Sequence, residues 1–315
     1  KDEGAIQWNK VQVNELDKEV TKEIVGEYYE QLTSKLKAIL RIPSNLYIWE
    51  HLDPKKEYTE CSTTSHLISE WWAQLSQKYF KLGLNETDLN HAKEVMVAFL
   101  ENRTEGWLPL NILDVNRSSL GFLASNSFLS INENKVFFAH QSISDCFLAE
   151  KMLREYCNGK DILEIIGDKE KQTPGKRYQI QMFMQELLEY DSSCFIDAGT
   201  KMFESAQIRY FVKFVFLEIL SQIDVLDENI KAFIINSCGN ENYGDHVINN
   251  VIYSRPKYIR LLRRHGILDK WFNDPQKKDT VFKLLISMSP NYEAEDIPID
   301  TLSSMMSTLV EKKAV

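Results

Sequence analysis

Glycine and proline are scarce here, 12 and 8 among 315 residues. Glycine weakens helices through backbone entropy and proline through its missing donor, so their scarcity leaves room for long helices and excludes a collagenous or low-complexity chain. Cysteine is sparse too. The five, at 61, 146, 157, 194 and 238, are odd in number and form no CxxC pair. That argues against a zinc site or a disulfide framework and fits reduced, cytoplasmic thiols. No apolar run approaches the roughly 20 residues of a membrane-spanning helix. Positive charge is in deficit: 37 Lys and Arg against 46 Asp and Glu give a net charge of −9. This disfavours a general nucleic-acid binder while leaving room for a local basic patch. The scattered acids show no metal-ligand spacing. The N-x-[ST] triplets at Asn85, Asn102 and Asn116 are short enough to arise by chance. The chain begins at Lys1 without Met, in a charged segment, as a piece of something longer would.

What is present is apolar and aromatic. Hydrophobic residues make up 43% and aromatics 11%, which supports packed cores rather than disorder. The length suggests two or three domains. The stretch 127–156 organises the rest. Ser127-Phe-Leu-Ser-Ile131 and Val136-Phe-Phe138 are β-forming runs on either side of Asn132-Glu133-Asn134, and they predict a hairpin. From Ser142 the period lengthens. Ile143, Phe147 and the line Leu148–Met152–Tyr156 fall on one helix face. His140 lies at the junction, where the first amides of a helix carry partial positive charge and suit an anion.

Taken in order, residues 7–13 alternate weakly, as a short strand would. Val20, Ile24, Tyr28, Leu32, Leu36 and Leu40 repeat every four residues and predict one continuous helix from Asp17, stopped by Pro43. Leu46, Ile48, Trp49 and Leu52 form a short apolar element, and 57–64 is a polar loop. A second long helix buries Leu67, Ile68, Trp71, Leu75, Tyr79 and Leu82 and is capped by Gly83. A third, capped by Asn85 or Thr87, carries Leu89, Ala92, Val95, Met96, Phe99 and Leu100. Residues 107–110 and 115–123 are expected as short helical pieces. Three helices followed by a two-stranded wing give the winged-helix order. Gly159 to Lys176 is a charged connection, followed by helices at about 177–190, 206–223, 227–238, 246–254, 256–265 and 277–289. Their strongest face is Ile208, Phe211, Val212, Val215, Phe216, Ile219 and Leu220; Pro256 and Gly266 bracket one helix. Short loops between such helices suggest stacked pairs, an α-solenoid. A last face, Leu302, Met305, Met306 and Leu309, would pack on further repeats. The expected fold is mainly α: a small helical bundle over 1–84, a winged helix with its β-hairpin over 85–158, and HEAT- or TPR-like repeats over 159–315.

Two motifs resemble the C-terminal half of a STAND-type NTPase, in particular the NACHT group of NOD-like receptors and bacterial antiviral ATPases. Leu40-Arg-Ile-Pro43-Ser-Asn-Leu46 is similar to the family's iP-x-x-L segment at the end of the small helical domain. Phe137-Phe-Ala-His140-Gln-Ser-Ile-Ser-Asp-Cys-Phe147-Leu-Ala149 is similar to the segment that closes its winged helix. The chain departs from the family at Leu148-Ala149, where Phe-x-Ala is common, and at Ile143, where an aromatic is expected. The resemblance covers about residues 5–158. It implies that Pro43 lies against the adenine of a bound nucleotide and that His140 reaches the β-phosphate of ADP. No G-x-x-x-x-G-K-[ST] and no paired-acid strand end occur. Phosphoryl transfer in this class needs backbone amides and a lysine around the phosphates, with a hydroxyl and an acid on Mg²⁺. The resemblance therefore implies an ADP/ATP site, with its Mg²⁺, on a separate N-terminal core of the same polypeptide; Trp8 and 11–13 would be that core's tail. No catalysis is expected of this chain alone. The implied function is regulatory: a helical-repeat sensor meets a protein trigger and shifts an ADP-closed form to an ATP-bound form that assembles into homo-oligomers. Antiviral defence in a prokaryote is the implied setting.

Blander readings stand beside these. A histidine at a strand–helix junction commonly serves only structure, Pro43 can be a plain helix stop, and Arg41 is either solvated or turned to phosphates. The basic cluster Arg255, Lys257, Arg260, Arg263, Arg264 and His265 reads as a solvated face or as a site for an acidic partner. A Cys146–His140 nucleophile pair is disfavoured because Cys146 falls mid-helix on a packing face. Trp71-Trp72 reads as bundle core plus a half-exposed ring. Two other functions remain as alternatives: a winged-helix DNA-binding regulator, which needs more basic residues than the single Arg117 near 116–123, and a helical scaffold without nucleotide.

Overall fold

The computed structural model describes residues 15–101, 106–288 and 307. Among them are sixteen α-helices and one three-stranded sheet, the mainly α architecture expected. The described residues form two compact units, one ending at Lys151 and the other beginning at Met152.

In the first unit, α1 (Lys18–Val25) passes through a 3-10 turn, Gly26–Gln31, to α2 (Ser34–Ile39). This corrects the single helix predicted over 17–40. Gly26 adopts φ 70°, and Thr33 starts a new helix by accepting the Leu36 N–H at 3.2 Å. The break rotates the face, so Thr21, Val25 and Tyr29 are buried while Val20 and Ile24 are exposed. Pro43 then opens α3 (Pro43–Trp49) at its first turn. Its ring fixes a helical φ where no donor is needed. In α4 (Thr64–Lys81), Leu67, Ile68, Trp71, Leu75 and Tyr79 are buried as predicted, each contributing roughly 1.5–3 kcal/mol. Leu82, predicted inside, caps the helix and is 62% exposed.

The wing follows α5 (Glu86–Glu101), whose start Asn85 caps by accepting the Thr87 N–H. Leu108–Pro109 is strand β1 rather than a helical piece; it pairs antiparallel with β3 (Lys135–Phe138), Leu108 opposite Val136. Proline is tolerated there because β1 lies at the sheet's edge. After α6 (Arg117–Ser125), β2 (Leu129–Asn132) pairs with β3 in the order β1-β3-β2. The hairpin turn is one residue shorter than predicted, because Asn132 already pairs with Lys135. Helix, edge strand, helix and hairpin complete a winged helix, and α7 (Gln141–Cys157) runs on from it.

The second unit is helical throughout its described residues. The connection predicted at 159–176 contains α8 (Ile162–Ile166) and a 3-10 turn, Lys169–Lys171. There follow α9 (Pro174–Tyr190), α10 (Ser192–Glu204), α11 (Tyr210–Gln222), α12 (Glu228–Ser237) and α13 (Gly244–Val247), which continues as a π-turn, Ile248–Ile252. Then come α14 (Pro256–Arg264), α15 (Ile267–Asn273) and α16 (Lys278–Ser287). Helices α10 and α15 were not foreseen. Helix α10 packs on α8, α9, α11 and α12; α9 packs on α11, and α12 on α14. Contact with the neighbour and with the next but one is the signature of stacked helix pairs. The predicted strand at 7–13, with Trp8, and the face Leu302, Met305, Met306 and Leu309 lie outside the described residues.

Candidate functional site

Aromatic packing fixes the junction that carries His140. Trp71 and Trp72 of α4 meet Phe128 at 4.8 and 5.4 Å between ring centroids, and Trp72 meets Phe147 of α7 edge-on at 5.3 Å. Phe138, the last residue of β3, packs on Phe147 at 5.9 Å. Trp71 is core and Trp72 is half-buried, as the sequence suggests. Lys93 of α5 stands 4.0 Å over the Phe147 ring and pairs with Glu150 of α7. The Ala139 N–H donates to the Phe128 carbonyl at 3.1 Å. Strand end and helix start are thus held from both sides.

His140 sits at the N-cap of α7. Its Nδ1 accepts the Ser142 N–H at 3.2 Å and lies 2.9 Å from the Ser142 hydroxyl, so one of the helix's orphan donors is satisfied by the ring. An Nδ1 that accepts a backbone N–H bears no proton, which leaves the neutral ring's hydrogen on Nε2. Partial loss of water around the ring holds its pKa below the ordinary value. The acceptor geometry acts in the same direction, because an imidazolium could not accept the Ser142 N–H. The residue is exposed, and Nε2 has no hydrogen-bond partner among the described residues. The arrangement presents one ring N–H donor beside the positive end of a 17-residue helix.

Pro43 is half-buried at the head of α3, and no hydrogen bond or ion pair joins it to His140. Their elements are linked through Tyr47 of α3, whose hydroxyl donates to the Ser127 carbonyl at 2.9 Å, next to Phe128. Tyr47 also meets Trp71 at 6.1 Å. The sequence does not mark Tyr47, and it marks Ser142 only as the start of a helical period, not as the partner of the His140 ring. Arg41 is engaged within its own unit: Nε donates to the Leu16 carbonyl at 2.9 Å and Nη1 lies 3.3 Å from Glu15. It clamps the chain entering α1.

The remaining candidates separate cleanly. Cys146 is fully buried on α7, while the His140 Nδ1 is occupied by Ser142, so the pair is not arranged as nucleophile and base. In the basic cluster, Arg255 donates to the Asn250 and Tyr253 carbonyls at 3.2 Å, and Tyr258, Ile259, Leu261 and Leu262 bury the other side of α14. Arg264 and His265 are exposed. In the second unit a groove of about 760 Å³ runs between Leu163, Asp168, Lys169, Lys171 and Gln207. It contains neither Pro43 nor His140. Among the described residues, no group of three His, Cys, Asp or Glu side chains could hold a metal ion, and no helix is long and apolar enough to cross a membrane. Compared with known proteins, the chain matches no protein-family model, no curated protein and no solved structure.

Proposed function

We propose that this chain is the regulatory portion of a STAND/NACHT-like signalling ATPase, a cytoplasmic protein of antiviral defence. His140 is the contact to the β-phosphate of ADP and Pro43 the packing surface for adenine, both acting on a nucleotide held with Mg²⁺ by an N-terminal core of the same polypeptide. The stacked helices are the face that meets a protein trigger. Loss of the ADP contacts favours the ATP-bound form, which self-associates. The observation that carries the reading is the His140 ring itself. Its Nδ1 is committed to Ser142, and its Nε2–H stands exposed beside a helix N-terminus, the geometry a phosphate oxygen requires.

The DNA-binding alternative gains nothing from the wing. On α6 the only basic side chain is Arg117; the other exposed positions are Ser118, Gly121 and Ser125. A recognition helix needs cations for phosphates and forked donors for bases.

Two measurements test the proposal. The reading frame upstream of Lys1 is expected to encode a G-x-x-x-x-G-K-[ST] loop. In the full-length product, His140→Ala is expected to weaken ADP binding about tenfold or more, the worth of one charge-assisted hydrogen bond. An upstream frame without such a loop, or an ADP affinity indifferent to loss of both His140 and Pro43, overturns it.

A further inference from the structure

A concentration of positive charge that the proposed nucleotide contacts leave unused surrounds α14. Between Arg255 and His265 stand five Lys and Arg and no Asp or Glu, in a chain whose net charge is −9. Residues 255–288 as a whole carry nine Lys and Arg against three Asp. Tyr258, Ile259, Leu261 and Leu262 are buried, so the other side of α14 must be polar. That need does not explain why it is cationic throughout. Lys257, Arg260 and Arg264 follow one another at spacings of three and four, where like charges weaken a helix. The helix dipole favours Arg263 and Arg264 in the last turn but opposes Lys257 in the first, which holds no acid. Helix stability alone therefore does not select this face. Arg264 is exposed and has no hydrogen bond or ion pair among the described residues. Apolar surface adjoins the cations. Tyr253, 44% exposed, stands just before the helix, and the Arg255 guanidinium donates to its carbonyl at 3.2 Å. The next residue, Ser254, donates its N–H to the Ser287 hydroxyl at 3.0 Å, which ties the end of α16, with its exposed Ile286, to the start of α14.

We propose that the cationic side of α14, with Tyr253 at its head, is a docking surface for an acidic segment of a partner protein, a run of Asp and Glu that includes an apolar side chain. Charge complementarity selects the acids. From Lys257 to Arg264 the row spans roughly 10 Å of helix at 1.5 Å per residue, the length of about three extended residues. The exposed ring beside the row selects the apolar side chain, because tyrosine and arginine together are the side chains that protein interfaces favour. A nucleic acid fits this surface less well. The rest of the chain outweighs the patch with acid, so a long polyanion would meet repulsion beyond α14, whereas a short acidic segment meets only the cations. The inference rests on this surface alone and not on the nucleotide switch, which other residues carry.

The test is fluorescence anisotropy with the whole 315-residue chain and labelled synthetic probes. One peptide is built of Glu and Asp around a central Phe, a second has Ser in place of that Phe, and a third has Lys in place of every acid. A DNA duplex is the fourth probe. At about 50 mM salt the acidic Phe peptide is expected to bind saturably and the Lys peptide not at all; at about 300 mM salt the binding is expected to weaken about tenfold or more. Lys257→Glu with Arg264→Glu is expected to weaken the acidic peptide about tenfold or more. Lys171→Glu with Lys231→Glu, the same change of charge elsewhere in the unit, is expected to weaken it less than about twofold. Tyr253→Ser is expected to remove the advantage of the Phe peptide over the Ser peptide. If the double reversal on α14 fails to fold, Arg264→Gln alone, at an exposed position, is expected to weaken the peptide about threefold, the worth of one exposed charge pair. Equal weakening by the two double variants would reduce the effect to net charge and overturn the proposal. Tighter binding of the duplex than of the acidic peptide, or no saturable binding of that peptide at low salt, would overturn it as well.

Discussion

A histidine that caps its own helix through Nδ1 must be neutral while it does so. Protonation would put a hydrogen where the Ser142 N–H now points, and would set a cation at the positive end of α7. The folded state therefore resists protonation, in line with the lowered pKa of His140, while the unfolded chain titrates at about 6.5. Between those two values the unfolded state binds more protons. The stabilisation is present above about pH 6.5 and is lost as pH falls through the folded-state pKa. Urea unfolding at pH 7 and pH 5 is expected to show a larger loss for wild type than for His140→Asn, whose amide oxygen can accept the same N–H without titrating. At pH 7, His140→Ala is expected to cost about 1 kcal/mol, the worth of an N-cap, and His140→Asn a few tenths. Equal cost in both variants would mean that the ring does no capping. The strand-to-helix change of period marks this residue in the sequence. Which ring nitrogen is committed could not be read there, since it depends on the backbone angle at which α7 begins.

At the scale of helices, legibility followed the caps and the side-chain volumes. The face of α4 is plain because five large side chains recur in register between Thr63 and Gly83. The same spacing misled over 17–40, where the chain turns at Gly26 and restarts at Thr33 while leaving the apolar count unchanged. Strand β1 is not legible in the sequence because two residues have no period to read. Helix α10 buries Phe195, Ala198, Gly199 and Met202 on one face, a helical spacing present in the sequence, but Gly199 at its centre lowers the helix propensity of the stretch. The structure gives the reason for the glycine: a Cβ at 199 would lie 2.1 Å from Cδ2 of Phe216 on α11. Alanine is the better helix former, so propensity alone would make Gly199→Ala stabilising. The contact reverses the sign, and the substitution is expected to cost about 1–3 kcal/mol in urea unfolding, the range of core overpacking. Combined with Phe216→Ala, which empties the obstructed space, it is expected to cost less than the sum of the two single changes. Strict additivity would mean that α10 and α11 do not approach as closely as this.

Across the whole molecule, the net charge of −9 and the single basic side chain on α6 weigh against a nucleic-acid partner and leave the proposed switch to work through protein and nucleotide contacts. A switch of this kind is a difference in affinity between two forms, and a contact made only in the closed form shifts the balance by its own free energy. The His140 contact to ADP is proposed to be such a contact. Its removal, at about 1.5–3 kcal/mol for a hydrogen bond to a charged group, would change the closed-to-open ratio about tenfold to a hundredfold. In the full-length product, His140→Ala is therefore expected to populate the self-associated form with ATP at trigger concentrations that leave the wild type monomeric. Light scattering behind size exclusion reads that difference directly. The cap complicates the substitution, because alanine also loosens the head of α7. His140→Asn separates the two effects, since it keeps the acceptor toward Ser142 and loses the imidazole Nε2–H. If His140→Asn stays monomeric as the wild type does while His140→Ala assembles, the assembly comes from a frayed helix and not from a lost phosphate contact, and the ring has no part in holding the nucleotide.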